Sequence, residues 1–176
     1  MRIYEGSPRQ DFEEVFRSIG AFLDQRGMRE VLLAEAPDGF IVQGLVTLKA
    51  AGGWGESLGS QTKETLTFLD DDIARFMEEA VARRNRQPTE DWTKAGYYEK
   101  AFRVLGRYMD EQKPKDTFFF EQDGAFVVRL LMSSQTGSKH VLSEFTRDDV
   151  ESMIAGGPAL RDPKPAAKAG SGEAKH

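Results

Sequence analysis

Two stretches of this chain read as worn copies of one another, and that duplication restricts the fold more than any other feature. FRSIGAFLD (Phe16–Asp24) and FRVLGRYMD (Phe102–Asp110) share Phe, Arg, Gly and Asp at the same spacing, and exchange like for like between them. Each runs through a charged break into an apolar strand, VLLAEA (Val31–Ala36) or TFFFEQ (Thr117–Gln122). Asp38-Gly39 and Asp123-Gly124 then mark turns into second strands, FIVQGLV and AFVVRLLM, as Asp-Gly does between apolar runs. Further on, Ser60-Gln61-Thr62 answers Ser134-Gln135-Thr136, KETLTF answers KHVLSEF, and Asp71-Asp72-Ile73 answers Asp148-Asp149-Val150.

The predicted unit is α-β-β-β-α, occurring twice with a residue or two of slippage. The fold class expected is α+β: a tandem pseudo-twofold duplication whose antiparallel strands form one or two sheets, with helices packed on one face. The first unit spans 1–86, the second 87–158, and 159–176, rich in Pro, Ala, Lys and Gly, reads as a disordered tail. The competing explanation is that two unrelated hairpins look alike because Asp-Gly turns and amphipathic helices are common.

Helix ends are marked by their own chemistry. Ser7-Pro8 is an N-cap followed by a proline at the first helical position. The run Asp70-Asp71-Asp72 resembles a metal-binding cluster, but carboxylates in a first helical turn satisfy free N–H groups and the helix dipole, and capping is the reading adopted. Thr89 is expected to cap a long helix from about Glu90 to Gln112, with Tyr97, Tyr98 and Tyr108 as aromatic surface. The run Phe118-Phe119-Phe120 predicts a central strand covered on both faces, or a subunit contact.

Little in the chain suggests catalysis. It has no cysteine, which removes thiolate chemistry, disulfides and Cys-based metal sites. Outside the tail His140 is the only histidine, and no nucleophile elbow occurs. The formal net charge of −5 disfavours a general affinity for nucleic-acid phosphates. No apolar run is long enough to span a bilayer and no signal-peptide pattern opens the chain, so a cytoplasmic protein without membrane insertion is expected. No cofactor and no metal are predicted.

The remaining candidates are for binding. Trp54, in the glycine-rich stretch Ala50–Ser60, is a candidate partner anchor, and the same stretch lacks the helix that a phosphate loop requires. Arg83, Arg84 and Arg86 suit a helix C-terminus and equally a partner's carboxylates. Tyr97 and Tyr98 complete the partner-binding set. For a small ligand between the two copies, the matched Glu35 and Glu121 and the corners Ser60, Gln61, Thr62, Ser134, Gln135 and Thr136 are the candidates. Each has a plainer reading, as solvated strand residues or ordinary turn chemistry.

Tandem copies that pool strands under a layer of helices are similar, at fold level alone, to saddle-shaped DNA-binding duplications and to secretion-type chaperones. The acidic charge sets the first aside. The expected function is a non-catalytic protein-binding adaptor, chaperone-like protein or accessory subunit, with a protein partner and room for a homo-oligomer. The alternative is a small-ligand-binding regulatory domain.

Overall fold

The computed structural model describes residues 11–47, 60–86 and 94–156. In chain order these form α1 (Asp11–Arg26), β1 (Arg29–Ala36), β2 (Gly39–Thr47), β3 (Gln61–Leu69) and α2 (Asp70–Arg86). Then follow α3 (Tyr97–Gln112), β4 (Asp116–Gln122), β5 (Ala125–Ser134), β6 (Gly137–Phe145) and α4 (Arg147–Ala155). The strands make one six-stranded antiparallel sheet in the order β3-β2-β1-β4-β5-β6. Each half contributes a three-stranded meander, and the halves meet where β1 pairs with β4. The segment Ser7-Pro8, the glycine-rich stretch up to Gly59, Thr89 and the tail lie outside the described residues.

Alternation decides which face of the sheet is dry. Leu33, Phe40, Val42, Phe119, Phe126, Val128 and Leu130 point one way and are buried. Onto that face α1 and α3 lay their apolar stripes: Phe12, Val15, Phe16, Ile19 and Leu23 from one, Ala101, Phe102, Leu105 and Met109 from the other. Edge-to-face rings tie the layers together. Phe16 meets Phe40 at 5.2 Å and Phe119 at 5.8 Å, while Phe102 meets Phe119 at 5.1 Å and Phe126 at 6.3 Å. Burying each such ring contributes about 1.5–3 kcal/mol. Phe76 of α2 reaches the same layer through Phe68.

The pairing of α1 with α3 is fixed by polar groups at both ends. The Asp24 carboxylate, in the last turns of α1, accepts the N–H groups of Tyr98 and Glu99 at 3.0 and 2.9 Å. The Asp110 carboxylate of α3 accepts those of Phe12 and Glu13 at 3.1 and 3.0 Å. Each helix thus caps the start of the other, satisfying N–H groups that have no intrahelical acceptor. Arg17 pairs with Glu99 at 2.9 Å and Arg103 with Glu13 at 3.1 Å. Between the caps, a Cβ on Gly20 would collide with the Tyr98 carbonyl, and one on Gly106 with the Phe12 carbonyl. The shared Arg, Gly and Asp of the two sequence stretches are therefore the residues of this helix–helix contact.

Two boundaries differ from expectation. Helix α3 starts at Tyr97, with Ala95 and Gly96 outside it, because Asp24 receives the N–H groups of Tyr98 and Glu99 there. Strand β3 starts at Gln61, ahead of the segment KETLTF, because Gln61, Thr62 and Lys63 pair with Thr47, Val46 and Leu45. The acidic helix starts act as caps. Asp72 accepts the Leu69 N–H at 3.1 Å, and Thr146 with Asp149 forms a capping box at α4.

Candidate functional site

The other face of the sheet is where the chain keeps apolar surface for which the fold supplies no cover among the described residues. Pairing builds it in rows. Gln43, Leu32, Phe120 and Val127 stand side by side across β2, β1, β4 and β5, and next to them run Ile41, Ala34, Phe118 and Arg129. Leu142 of β6 extends the second row beside Arg129. The Phe118 and Phe120 rings lie 6.0 Å apart, and the Arg129 guanidinium carbon is 5.1 Å from the Phe118 centroid. Such a contact lets a charged residue edge an apolar patch without interrupting it.

None of these side chains faces the helices. Leu32, Ala34, Phe118, Phe120 and Val127 are half-buried by one another, Ile41 is 36% exposed, and Leu142 is 71% exposed. This corrects the expectation for the triple phenylalanine run. β4 is central, and Phe119 is fully buried, but Phe118 and Phe120 point away from the helices by strand alternation. The continuous apolar run comes from a strand whose second face is open.

The matched glutamates take a different part. The direct pairing of β1 with β4 runs from Leu32–Phe120 to Ala34–Phe118. Two residues from its centre on either side, a carboxylate takes over from the carbonyl ladder. Glu35 accepts the Thr117 N–H at 3.1 Å, and Glu121 lies 3.5 Å from the Val31 N–H. Both side chains lie on the helix-facing side, half-buried and not outward and solvated. They close opposite ends of a short ladder, so they do not converge on one ligand position.

Tyr98, expected as surface, is buried, and its hydroxyl donates to Glu121 at 2.6 Å. The cap from Asp24 fixes the first turn of α3 so that this ring turns inward, against Phe102 at 5.9 Å. Burial, then the Glu121 carboxylate, pushes the Tyr98 hydroxyl well above the ordinary tyrosine range. Tyr97 is half-buried, and its hydroxyl is buried without a hydrogen-bond partner; burial and the charge of Glu121 push its pKa upward also. Tyr108 packs on Phe145 at 5.0 Å with its hydroxyl 3.0 Å from Ser143.

The two Ser-Gln-Thr corners are far apart and unlike in structure. Gln61 and Thr62 belong to β3, with Ser60 just before it, whereas Gln135-Thr136 forms the two-residue turn after Ser134 of β5. β3 and β5 are four strand spacings apart, about 19 Å. The structure therefore brings neither corner to the glutamates. Trp54 lies outside the described residues, and Arg83, Arg84 and Arg86 are described only as part of α2. Sequence reading missed the open face as a continuous surface; the signal was present in Phe118 and Phe120, whose parity opposes that of Phe119.

Among the described residues no helix is long and apolar enough to cross a membrane. Comparison of the chain with known family profiles, curated proteins and solved structures yields no match.

Proposed function

We propose that this chain is a non-catalytic protein-binding adaptor, chaperone-like protein or accessory subunit, and that it engages its protein partner through the open face of the sheet. The observation that carries this reading is the contiguous patch of Leu32, Ile41, Phe118, Phe120 and Val127 at the centre of that face, edged by Arg129. A contiguous apolar patch at the middle of a sheet is unfavourable in water, and its most direct use is to be covered by a partner's apolar side chains. Rigid strands hold the patch in place, so binding orders few groups.

A tandem duplication of the α-β-β-β-α unit supports the same reading. The equal spacing between Glu13 and Glu99, Arg17 and Arg103, Gly20 and Gly106, and Asp24 and Asp110 accompanies equivalent contacts. The pseudo-twofold that would relate the halves passes between β1 and β4, so each half lends part of the patch. A duplicated half-sheet gains a broad binding face by joining edges that would otherwise be exposed.

The test is native mass spectrometry of the full chain purified from its own host, beside Phe120→Lys. A protein companion of defined stoichiometry on the unaltered chain, lost with Phe120→Lys, is the expected result. A companion retained by the variant, or a small-molecule adduct on both, overturns the reading.

A further inference from the structure

Among the described residues, six strands in one open sheet leave two edges, and the two are not alike. β3 runs directly into α2, and its open-face side chains, Lys63, Thr65 and Thr67, put a charge and no apolar residue along that edge. β6 is nine residues long and pairs with β5 without a register break from Phe126–Phe145 to Ser134–Gly137. It contains no proline and no bulge, so it lacks two of the usual devices that blunt an edge. Its open-face residues in order are His140, Leu142 and Glu144, since these pair with Leu131, Arg129 and Val127. Leu142, at 71%, has the greatest exposure among the large hydrophobic residues described.

We propose that β6 pairs antiparallel with β6 of a second copy of this chain, about a twofold axis through Leu142. An isologous contact must be complementary to itself. With the axis at Leu142, that leucine packs on its own mate, and His140 of each copy stands opposite Glu144 of the other on the same face. The imidazole N–H then meets a carboxylate on both sides of the axis. Shifting the register by two residues in pair number sets Leu142 against His140 or Glu144 and breaks both matches. Lys139, the cation of this strand, lies on the helix-facing side near its start and away from the axis. The two sheets become one, and the two open faces become a single extended surface. This inference does not depend on the identity, or the existence, of another partner.

The test is sedimentation velocity of the full chain over a concentration series, with circular dichroism as a check on folding. The unaltered chain is expected to associate as a dimer. Leu142→Lys, at an exposed position, is expected to weaken the dimer by at least roughly tenfold, because two like charges meet on the axis. His140→Glu is expected to weaken it by a similar factor, about tenfold, by placing carboxylate against carboxylate twice. The double variant His140→Glu with Glu144→Lys restores opposite charges and should return affinity to within about threefold of the original. If Leu142→Lys does not fold, the charge-swap pair decides alone. A chain monomeric throughout the series, a dimer indifferent to Leu142→Lys, or a double variant no tighter than His140→Glu overturns the proposal.

Discussion

Asp24 and Asp110 each cap the helix that the other belongs to: Asp24 holds the first turn of α3, and Asp110 the first turn of α1. The two helices are thereby locked antiparallel, with Gly20 and Gly106 letting their backbones close together. The sheet beneath them takes its central pairing, β1 on β4, from the same juxtaposition.

Replacing either aspartate by alanine should destabilise the fold by about 2 kcal/mol, since two helix-start N–H groups lose a charged acceptor. The matched geometry predicts similar losses at the two positions. Urea denaturation of Asp24→Ala and Asp110→Ala measures both; an effect at one site alone would show that the two caps are not equivalent.

Gly20→Ala and Gly106→Ala test the close approach directly. Alanine is the better helix former by about 1 kcal/mol, so an exposed position would gain. Here the added methyl meets a carbonyl of the facing helix, and a net loss of about 2 kcal/mol is expected. Stabilisation by either substitution would mean that the helices are further apart than described.

The two hairpins should differ in what they tolerate. At Asp123-Gly124 both residues have positive φ, 51° and 80°, as a two-residue type I′ turn requires, so Gly124→Asn should lose less than about 1 kcal/mol. Gly39 has φ of 152° and its added Cβ would strike the Phe68 carbonyl, so Gly39→Asn should lose about 3 kcal/mol. Valine should be destabilising at both. Equal melting temperatures for the two asparagine variants would contradict this.

Tyr98 links stability to alkaline pH. Its folded-state pKa is raised, so below about pH 10, where the unfolded chain also keeps the phenolic proton, its contribution is fully present. As pH rises beyond that, the unfolded chain releases the proton while the folded one retains it, and stability falls. Tyr98→Phe should reduce this alkaline loss, and at neutral pH should destabilise by about 1–3 kcal/mol, because Glu121 loses its hydroxyl donor. Unfolding titrations of both proteins at neutral and alkaline pH give the comparison.

How much of this was legible in the sequence follows from what is local. Local pattern located the strands and their Asp-Gly turns, and the capping role of the Asp70–Asp72 run, because each depends on neighbours a few residues away. The match between Phe16–Asp24 and Phe102–Asp110 picked out Arg17, Gly20 and Asp24 with their counterparts, but not that each carboxylate serves the opposite helix, a fact of tertiary pairing. Tyr98 was misjudged for the same reason: its turn inward depends on Asp24 and Glu121, both distant in sequence. Glu35 and Glu121 matched in the sequence, yet their task at the ends of the β1–β4 ladder requires knowing which strands adjoin. The open face was half visible: alternation separates Phe118 and Phe120 from Phe119, but nothing local says that one layer is missing.

Site-specific photocrosslinking in the native host decides whether the open face is the working surface. A photoreactive residue at Phe120 is compared with one at Glu78, an exposed position of α2. A discrete protein adduct from position 120 and none from 78 is the expected result. Adducts from 78 with none from 120 would contradict it.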